Sequence, residues 1–358
     1  MTARPVEAIL EPELPIVDPH HHLWDRRAAM AAASDDPATR HGFLRVIDLS
    51  ARYLLDELLA DTGSGHNVVA TVFVECRSMW RKDGPAEMRP VGETEFVNGV
   101  AAMCASGTYG PTLACAGIVG HVDLRLSPDT VDRVLEAHIA AGGGRFRGIR
   151  HSASHHEDPA VLGPLHGRAP AGLYASAEFR KGFARLAAHG LTFDAWVLEP
   201  QLPEVIDLAR AFPDTPIVLD HVGTPLGIGN HAGRREERFG AWRRNIRELA
   251  QCPNVHVKLG GLAMVFCGFP SFLSEPAASS DQLASEWRPY IDECIEAFGA
   301  SRCMFESNFP VDVGSCSYAT LWNAFKRIAA DRSAEEKREL FAGTAARFYR
   351  LELPGARG

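Results

Sequence analysis

The chain is expected to fold as an α/β protein, a closed (β/α)8 TIM barrel, and three observations lead there. Short apolar runs alternate with longer amphipathic stretches along the whole length, and the apolar runs number eight. Polar, chemistry-bearing residues follow those runs with a regularity that a random surface would not produce. Strands separated by helices pair in parallel through right-handed crossovers. Eight such units suggest a closed cylinder, with an open doubly wound sheet as the alternative.

The expected strands are 16–17, 68–74, 114–119, 146–149, 191–197, 217–219, 255–259 and 303–305. Amphipathic stretches place helices over 52–59, 93–105, 128–141, 177–188, 202–211, 238–250, 282–298 and 318–329. Ser127-Pro128 is a helix start, a capping hydroxyl followed by proline in the first turn. Ser333-Ala334-Glu335-Glu336 reads as a capping box that opens a last helix toward Tyr349.

Four long irregular segments, 26–50, 151–173, 223–233 and 262–280, each follow a strand. In such a barrel those segments lie on the face that carries catalysis, so they are expected to wall a pocket for a small-molecule substrate. Segment 262–280 holds three Phe and a Met and is also the candidate contact of a homodimer. No linker divides the chain, so 1–358 reads as one domain.

Composition narrows the function classes. A net charge of −8 and no dense Lys/Arg block argue against nucleic acid. No apolar stretch approaches the ~20 residues of a membrane span, and Met1-Thr2-Ala3-Arg4-Pro5 lacks the apolar core of a signal peptide. Eight scattered cysteines without Cys-x-x-Cys look reduced and buried, as in a cytoplasmic protein.

The most informative motif is Val17-Asp18-Pro19-His20-His21-His22-Leu23-Trp24. On a strand, i and i+2 share a face, so His20 and His22 converge while His21 turns away. Two convergent imidazoles suit a transition metal or proton transfer. The later strand ends add Glu75, then Arg150 and His151, then Asp194 and Trp196, then Asp220 and His221, then Lys258, and finally Glu306, Asn308 and Asp312. His221 is expected to join His20 and His22, as a third ligand or a proton carrier. Arg150 offers a planar cationic fork to a carboxylate or ester oxygen; a salt bridge across the barrel mouth is the structural alternative. Glu75 and Lys258 are candidate substrate-binding groups that would equally make a structural pair. His155-His156 is expected to be solvated.

Together, Val17–Trp24, Arg147-Gly148-Ile149-Arg150, Leu219-Asp220-His221-Val222-Gly223, Lys258-Leu259-Gly260-Gly261 and Met304-Phe305-Glu306-Ser307-Asn308-Phe309-Pro310 resemble the amidohydrolase-related, lactonase-like branch of the amidohydrolase superfamily. That group includes fuconolactonase, pyrone-dicarboxylate lactonase and sulfomuconolactone hydrolase. The resemblance implies hydrolysis of a lactone of a sugar acid or an aromatic-degradation intermediate. Its alternatives are a metal-dependent non-oxidative decarboxylase and a non-catalytic small-molecule binder. It implies metal ligation by His20 and His22 and a His221 that orients or protonates the substrate; the residues themselves offer Arg150 and Trp196 to the substrate and His151 or His221 as proton donor. Zinc is the expected divalent metal, and metal-independent hydrolysis is the alternative. The family commonly has Ser-Asp-x-Pro after strand eight, whereas this chain has Ser307-Asn308-Phe309-Pro310. Asn cannot serve as a general base. Of the flanking acids, alternation is expected to turn Glu306 away and to let Asp312 return to the centre. Strand five lacks the histidine that metal-dependent decarboxylases carry.

Overall fold

The structure is a computed structural model, and it describes residues 7–32 and 40–353. Eight parallel strands run in sequence order: β1 (Pro15–His21), β2 (Asn67–Val74), β3 (Leu113–Gly120), β4 (Phe146–Arg150), β5 (Thr192–Ala195), β6 (Ile217–Leu219), β7 (Val255–Leu259) and β8 (Cys303–Phe305). A parallel bridge between His21 and Phe309 joins the last strand to the first and closes the barrel. Helices connect consecutive strands, as the alternation of apolar runs requires.

Side-chain alternation decides which residues reach the axis. Val17, Ala70, Val72, Val119, Val218 and Met304 pack together inside the barrel with Phe348 and Tyr349. Ile16, Phe73, Ile118, Phe193, Ile217, Val257 and Phe305 instead face the helices. The C-terminal segment thus closes the end of the barrel opposite the pocket. Each buried aromatic there contributes on the order of 2 kcal/mol.

Most expected elements are shifted at an end by a few residues, and β1 extends to Pro15–His21. The helix expected over 177–188 is split into Ala177–Phe183 and Arg185–Ala188. Two further differences stand out. Arg52–Tyr53 pairs antiparallel with Trp24–Asp25, and the helix then starts at Leu55 and runs to Thr62. The run expected as strand 191–197 is strand only over Thr192–Ala195. Both capping predictions hold: Ser127 accepts from Thr130 N, and Ser333 and Glu336 form the capping box. The apolar side chains of segment 262–280 are largely internal. Met264, Phe266, Cys267 and Phe269 are buried within the chain itself. No described helix is long and apolar enough to cross a membrane.

Candidate active site

The β1 histidines depend on a bulge. With Val17 facing the axis, strict alternation would send His21 inward. The register of β1 against β2 shifts between Asp18 and His21, and the extra residue turns His20 and His22 inward instead. His21 faces the wall, 2.8 Å from Thr71 Oγ1. Asp18 braces the bulge by accepting from Ser307 N (3.0 Å) and Tyr318 Oη (3.0 Å). His22 Nδ1 donates to Val74 O at 2.8 Å, which fixes the tautomer and leaves Nε2 as an acceptor. Burial, then His20 and Arg150, hold His22 well below the usual imidazole range, so the ring is neutral.

His221 and Glu306 form the centre. His221 Nδ1 lies 2.6 Å from Glu306 Oε1, which also accepts from His221 N at 3.1 Å. His221 has a left-handed backbone, φ 58°, which bends the chain at the end of β6. Glu306 continues the alternation of β8, since Met304 faces the interior and Glu306 follows two residues on. The expectation that Glu306 turns away is therefore corrected. Asp312 does not return to the centre. It is buried beneath Asn308 and accepts from Asn308 Nδ2 at 2.8 Å, and burial pushes its carboxyl well above the usual range.

Other inward positions form a buried charge network. Lys258 Nζ lies 2.6 Å from Asp194 Oδ2 and 3.0 Å from Asp220 Oδ1, and Tyr349 Oη donates to Asp194 Oδ2 at 2.7 Å. Burial alone would neutralise Lys258, but the two carboxylates raise its pKa. One ammonium serves two acids unequally. Burial leaves Asp194 at about 6 despite Lys258, whereas Lys258 and His20 overcome burial at Asp220 and hold it well below its usual range. Arg150 Nε lies 2.9 Å from Glu75 Oε1, Nη2 donates to Glu75 O, and Nη1 approaches His20 Nε2 (3.2 Å) and Asp220 Oδ2 (3.5 Å). Its salt bridge across the barrel mouth and its presence in the cavity wall coexist.

Above this floor lies a cavity of about 280 Å³. Of the residues singled out in the sequence, His22, Glu75, Arg150, Trp196, His221 and Asn308 line it. Trp196 holds its ring near the Arg150 guanidinium (5.6 Å) and donates to Thr224 Oγ1 at 3.2 Å. His20, Lys258, His151 and Asp312 are not in the lining. His20 and Lys258 lie fully buried within the charge network. His151 is turned aside: its Nδ1 accepts from Leu124 N at 3.3 Å, and burial followed by His121 lowers its pKa to about 3. His156, expected to be solvated, is half-buried, with Nε2 2.9 Å from His231 Nε2.

The places of three features were not assigned from the sequence. Glu306 and Asp194 sit at the centre and beneath it. Gly260 and Gly261 make room for the pair, because a Cβ on Gly260 would lie 2.4 Å from Glu306 Cγ. Buried Glu93 accepts from Cys76 N (3.0 Å), Ser78 N (2.9 Å) and Trp80 Nε1 (3.2 Å), shaping the loop after β2. The signal was the i, i+2 spacing from inward Met304 for Glu306 and the Gly-Gly pair at a strand end for Gly260 and Gly261; Glu93, on the helix Val91–Ala105, carried neither.

The donors that could hold a metal are His20, His221 and Glu306, whose ligand atoms lie within 4.8 Å of one another. Among the described residues His22 is outside this set, although its ring centroid lies 5.0 Å from that of His20. Two imidazoles and a carboxylate suit catalytic zinc. Glu306 Oε2 and Asp220 Oδ1 are buried carboxylate oxygens without an aligned hydrogen bond, which also favours a cation there. Lys258 Nζ, 3.1 Å from His20 Nδ1, is the fixed cation that would share them.

The family model described as Amidohydrolase matches residues 17–351. The chain is 35% identical over 342 residues to an uncharacterized protein, y4mH, of Sinorhizobium fredii, covering 95% of this chain and 99% of that one. It is 30% identical over 343 residues to an L-fucono-1,5-lactonase of Burkholderia multivorans, covering 94% and 97%. A crystal structure of an amidohydrolase from Burkholderia multivorans with bound zinc superposes with a TM-score of 0.69 at 29% identity, covering 94% and 99%. With its barrel, its inward histidines and its buried acids, the chain belongs to the amidohydrolase family of hydrolases.

Proposed function

We propose that this hydrolase opens a lactone by attack of an activated water on the ring ester. One observation carries the reading: His221 Nδ1 lies 2.6 Å from Glu306 Oε1 while His221 lines the cavity beside Arg150. With Nδ1–H donated to a carboxylate, the other ring nitrogen is left to take a proton from water. The water oxygen adds to the ester carbon, and Arg150 stabilises the negative charge that develops on the carbonyl oxygen. The ring C–O bond then breaks, and the proton held by His221 passes to the departing oxygen, giving a hydroxy acid. A divalent metal, zinc first among candidates, would be held by His20, His221 and Glu306 and would supply Lewis acidity there; a ligating His221 would no longer be the base, so metal activation is the alternative to proton transfer by His221 and not an addition to it. The L-fucono-1,5-lactonase relative supports the reaction class. Decarboxylation finds less support, because the fifth strand offers Asp194, tied to Lys258, where a metal-binding histidine would be needed.

The test is proton release on a panel of sugar-acid, pyrone and unsaturated lactones, with His221→Ala as control. Turnover that His221→Ala abolishes supports the reading. No turnover on any lactone, with zinc supplied, overturns it.

A further inference from the structure

The loops after β4 and β6 meet through two histidines that the proposed reaction does not use. His156 Nε2 lies 2.9 Å from His231 Nε2, with the rings T-shaped and their centroids 5.1 Å apart. A hydrogen bond between two imidazole nitrogens needs one proton and one bare lone pair. The surroundings decide which ring supplies the proton. His156 Nδ1 accepts from Asp158 N at 3.0 Å, so it is bare, and the proton of the neutral ring sits on Nε2. His156 Nε2 therefore donates and His231 Nε2 accepts. The proton of His231 is then on Nδ1, which is buried without a partner. The whole His231 side chain is shut away, at 7% exposure.

An added proton finds no free place in this pair. On His231 Nε2 it would collide with the proton of His156. On His156 Nδ1 it would face the N–H of Asp158 and break the turn that aims the ring. The charged groups around the pair do not relieve this. Arg234 and Arg238, at the start of the helix Arg235–Leu249, repel a proton on His231, and Asp158 alone attracts one. Asp158 Oδ1 already accepts from Ala160 N at 2.9 Å. The acids nearest the two arginines are engaged, Glu199 with Arg238 and Glu237 with Arg234. His41, packed under Gly163 on the far side of the short helix Pro159–Leu162, is itself pushed toward the neutral form by burial. Burial, followed by Arg238, His156 and Arg234, lowers the pKa of His231.

The loop after β4 is part of the cavity wall, to which it gives Ser152, Ser154, Pro164, Leu165 and Arg168. Val161, Leu162 and Leu165 of this loop pack in one apolar cluster with Leu226 of the loop after β6. At Gly229, with φ +58°, the two backbones come close enough that a Cβ would lie 3.0 Å from Val161 Cγ2. The histidine pair is thus a polar tie across an apolar seam.

We propose that His156 and His231 form a proton-operated latch: with both rings neutral it ties the cavity wall after β4 to the loop after β6, and a proton taken up by the pair releases it. The open pair binds protons in the ordinary imidazole range, about pH 6.5, and the closed pair does not. The latch is therefore held above that range and lost as pH falls below it.

The test is amide hydrogen exchange of wild type and His231→Gln at about pH 7.5 and about pH 5.5, expressed as protection factors so that the intrinsic pH dependence cancels. In wild type, protection over 156–168 is expected to fall by about tenfold more than in the barrel strands, the effect of one proton across one pH unit. In His231→Gln, which offers an acceptor that does not titrate, that excess should vanish. No excess fall in wild type, or one that His231→Gln retains, overturns the latch. Long-range proton–nitrogen NMR of wild type at about pH 7.5 reads the tautomers without needing a variant. His156 protonated at Nε2 and His231 at Nδ1 support the latch, and the reverse assignment or a charged ring overturns it. Neither measurement uses a substrate, so both outcomes are independent of the lactonase reading.

Discussion

Gly261 stands where any side chain would collide with His221: a Cβ built on it would lie 2.4 Å from His221 Cγ, and its φ is +65°. The glycine and the imidazole are therefore one device, since the left-handed turn at β7 opens the space that the left-handed His221 fills. Gly261→Ala is expected to destabilise the protein by about 1–3 kcal/mol. Because the clash falls on the ring proposed as the base, kcat should drop out of proportion to stability. Thermal unfolding and kcat measured on the same sample check this. An Ala variant with unchanged kcat would show that His221 is positioned by other contacts.

Glu306→Gln preserves shape and removes the charge facing both His221 Nδ1 and His20 Nδ1, the latter at 2.7 Å. An amide in that place can present its NH2 to the ring and favour the wrong tautomer. We expect kcat to fall by about 10²–10⁴, the range of general acid–base contributions. A loss below about threefold would remove Glu306 from the mechanism.

The barrel and most of its inward residues were legible in the sequence because one rule generates both. Val218 and Asp220, and Gly148 and Arg150, are i, i+2 pairs, so the face of the first member fixes the face of the polar one. Glu306 is misplaced when its direction is counted from Asn308, beyond the strand, and not from Met304. His20 and His22 were assigned to the axis by the same rule, yet they reach it only because β1 bulges after Asp18. A bulge leaves no mark in the residue pattern. Asp312 could not be placed, because after Asn308, with φ 54°, the chain leaves strand geometry and counting residues no longer predicts direction. His151 directly follows Arg150 at the end of β4, and neighbouring strand residues point apart, so an inward Arg150 turns His151 from the cavity.

Acid should destabilise the fold through histidines that are buried neutral. Burial lowers His21 to about 3, His138 to about 4 and His151 to about 3. The unfolded chain binds protons at these sites from about pH 6.5 downward while the folded chain does not. Stability therefore falls as pH drops through the window from 6.5 toward 3, by up to about 1.4 kcal/mol per site per pH unit. Urea unfolding at a series of pH values measures it. Constant stability between pH 6.5 and 4 would contradict the neutral assignment.

Arg150→Lys keeps the charge and loses the fork. The guanidinium reaches Glu75 Oε1, Glu75 O, His20 Nε2 and Asp220 Oδ2 at once, and a single ammonium cannot span that set. We expect kcat/KM to fall by about 10²–10³, comparable to loss of a donor to a developing oxyanion. Stability should change by about 1–3 kcal/mol, because buried acceptors lose their donors. Steady-state kinetics and thermal unfolding check both, and a fully active lysine variant would show that positive charge alone suffices at this position.

Metal loading separates the His20, His221 and Glu306 set from the expected His20, His22 and His221 set. Protein dialysed against chelator and then equilibrated with zinc is expected to bind one equivalent by elemental analysis. It should gain about 2.7 kcal/mol of stability when free zinc is a hundredfold above Kd. Glu306→Gln should abolish that binding, because it removes the only anionic donor of the set. His22→Ala should retain it, since His22 stands outside the set. Zinc retained by Glu306→Gln but lost by His22→Ala would return the ligands to the strand-one pair. Zinc bound by neither variant nor wild type would mean that Lys258, 3.1 Å from His20 Nδ1, already serves as the cation among the buried acids.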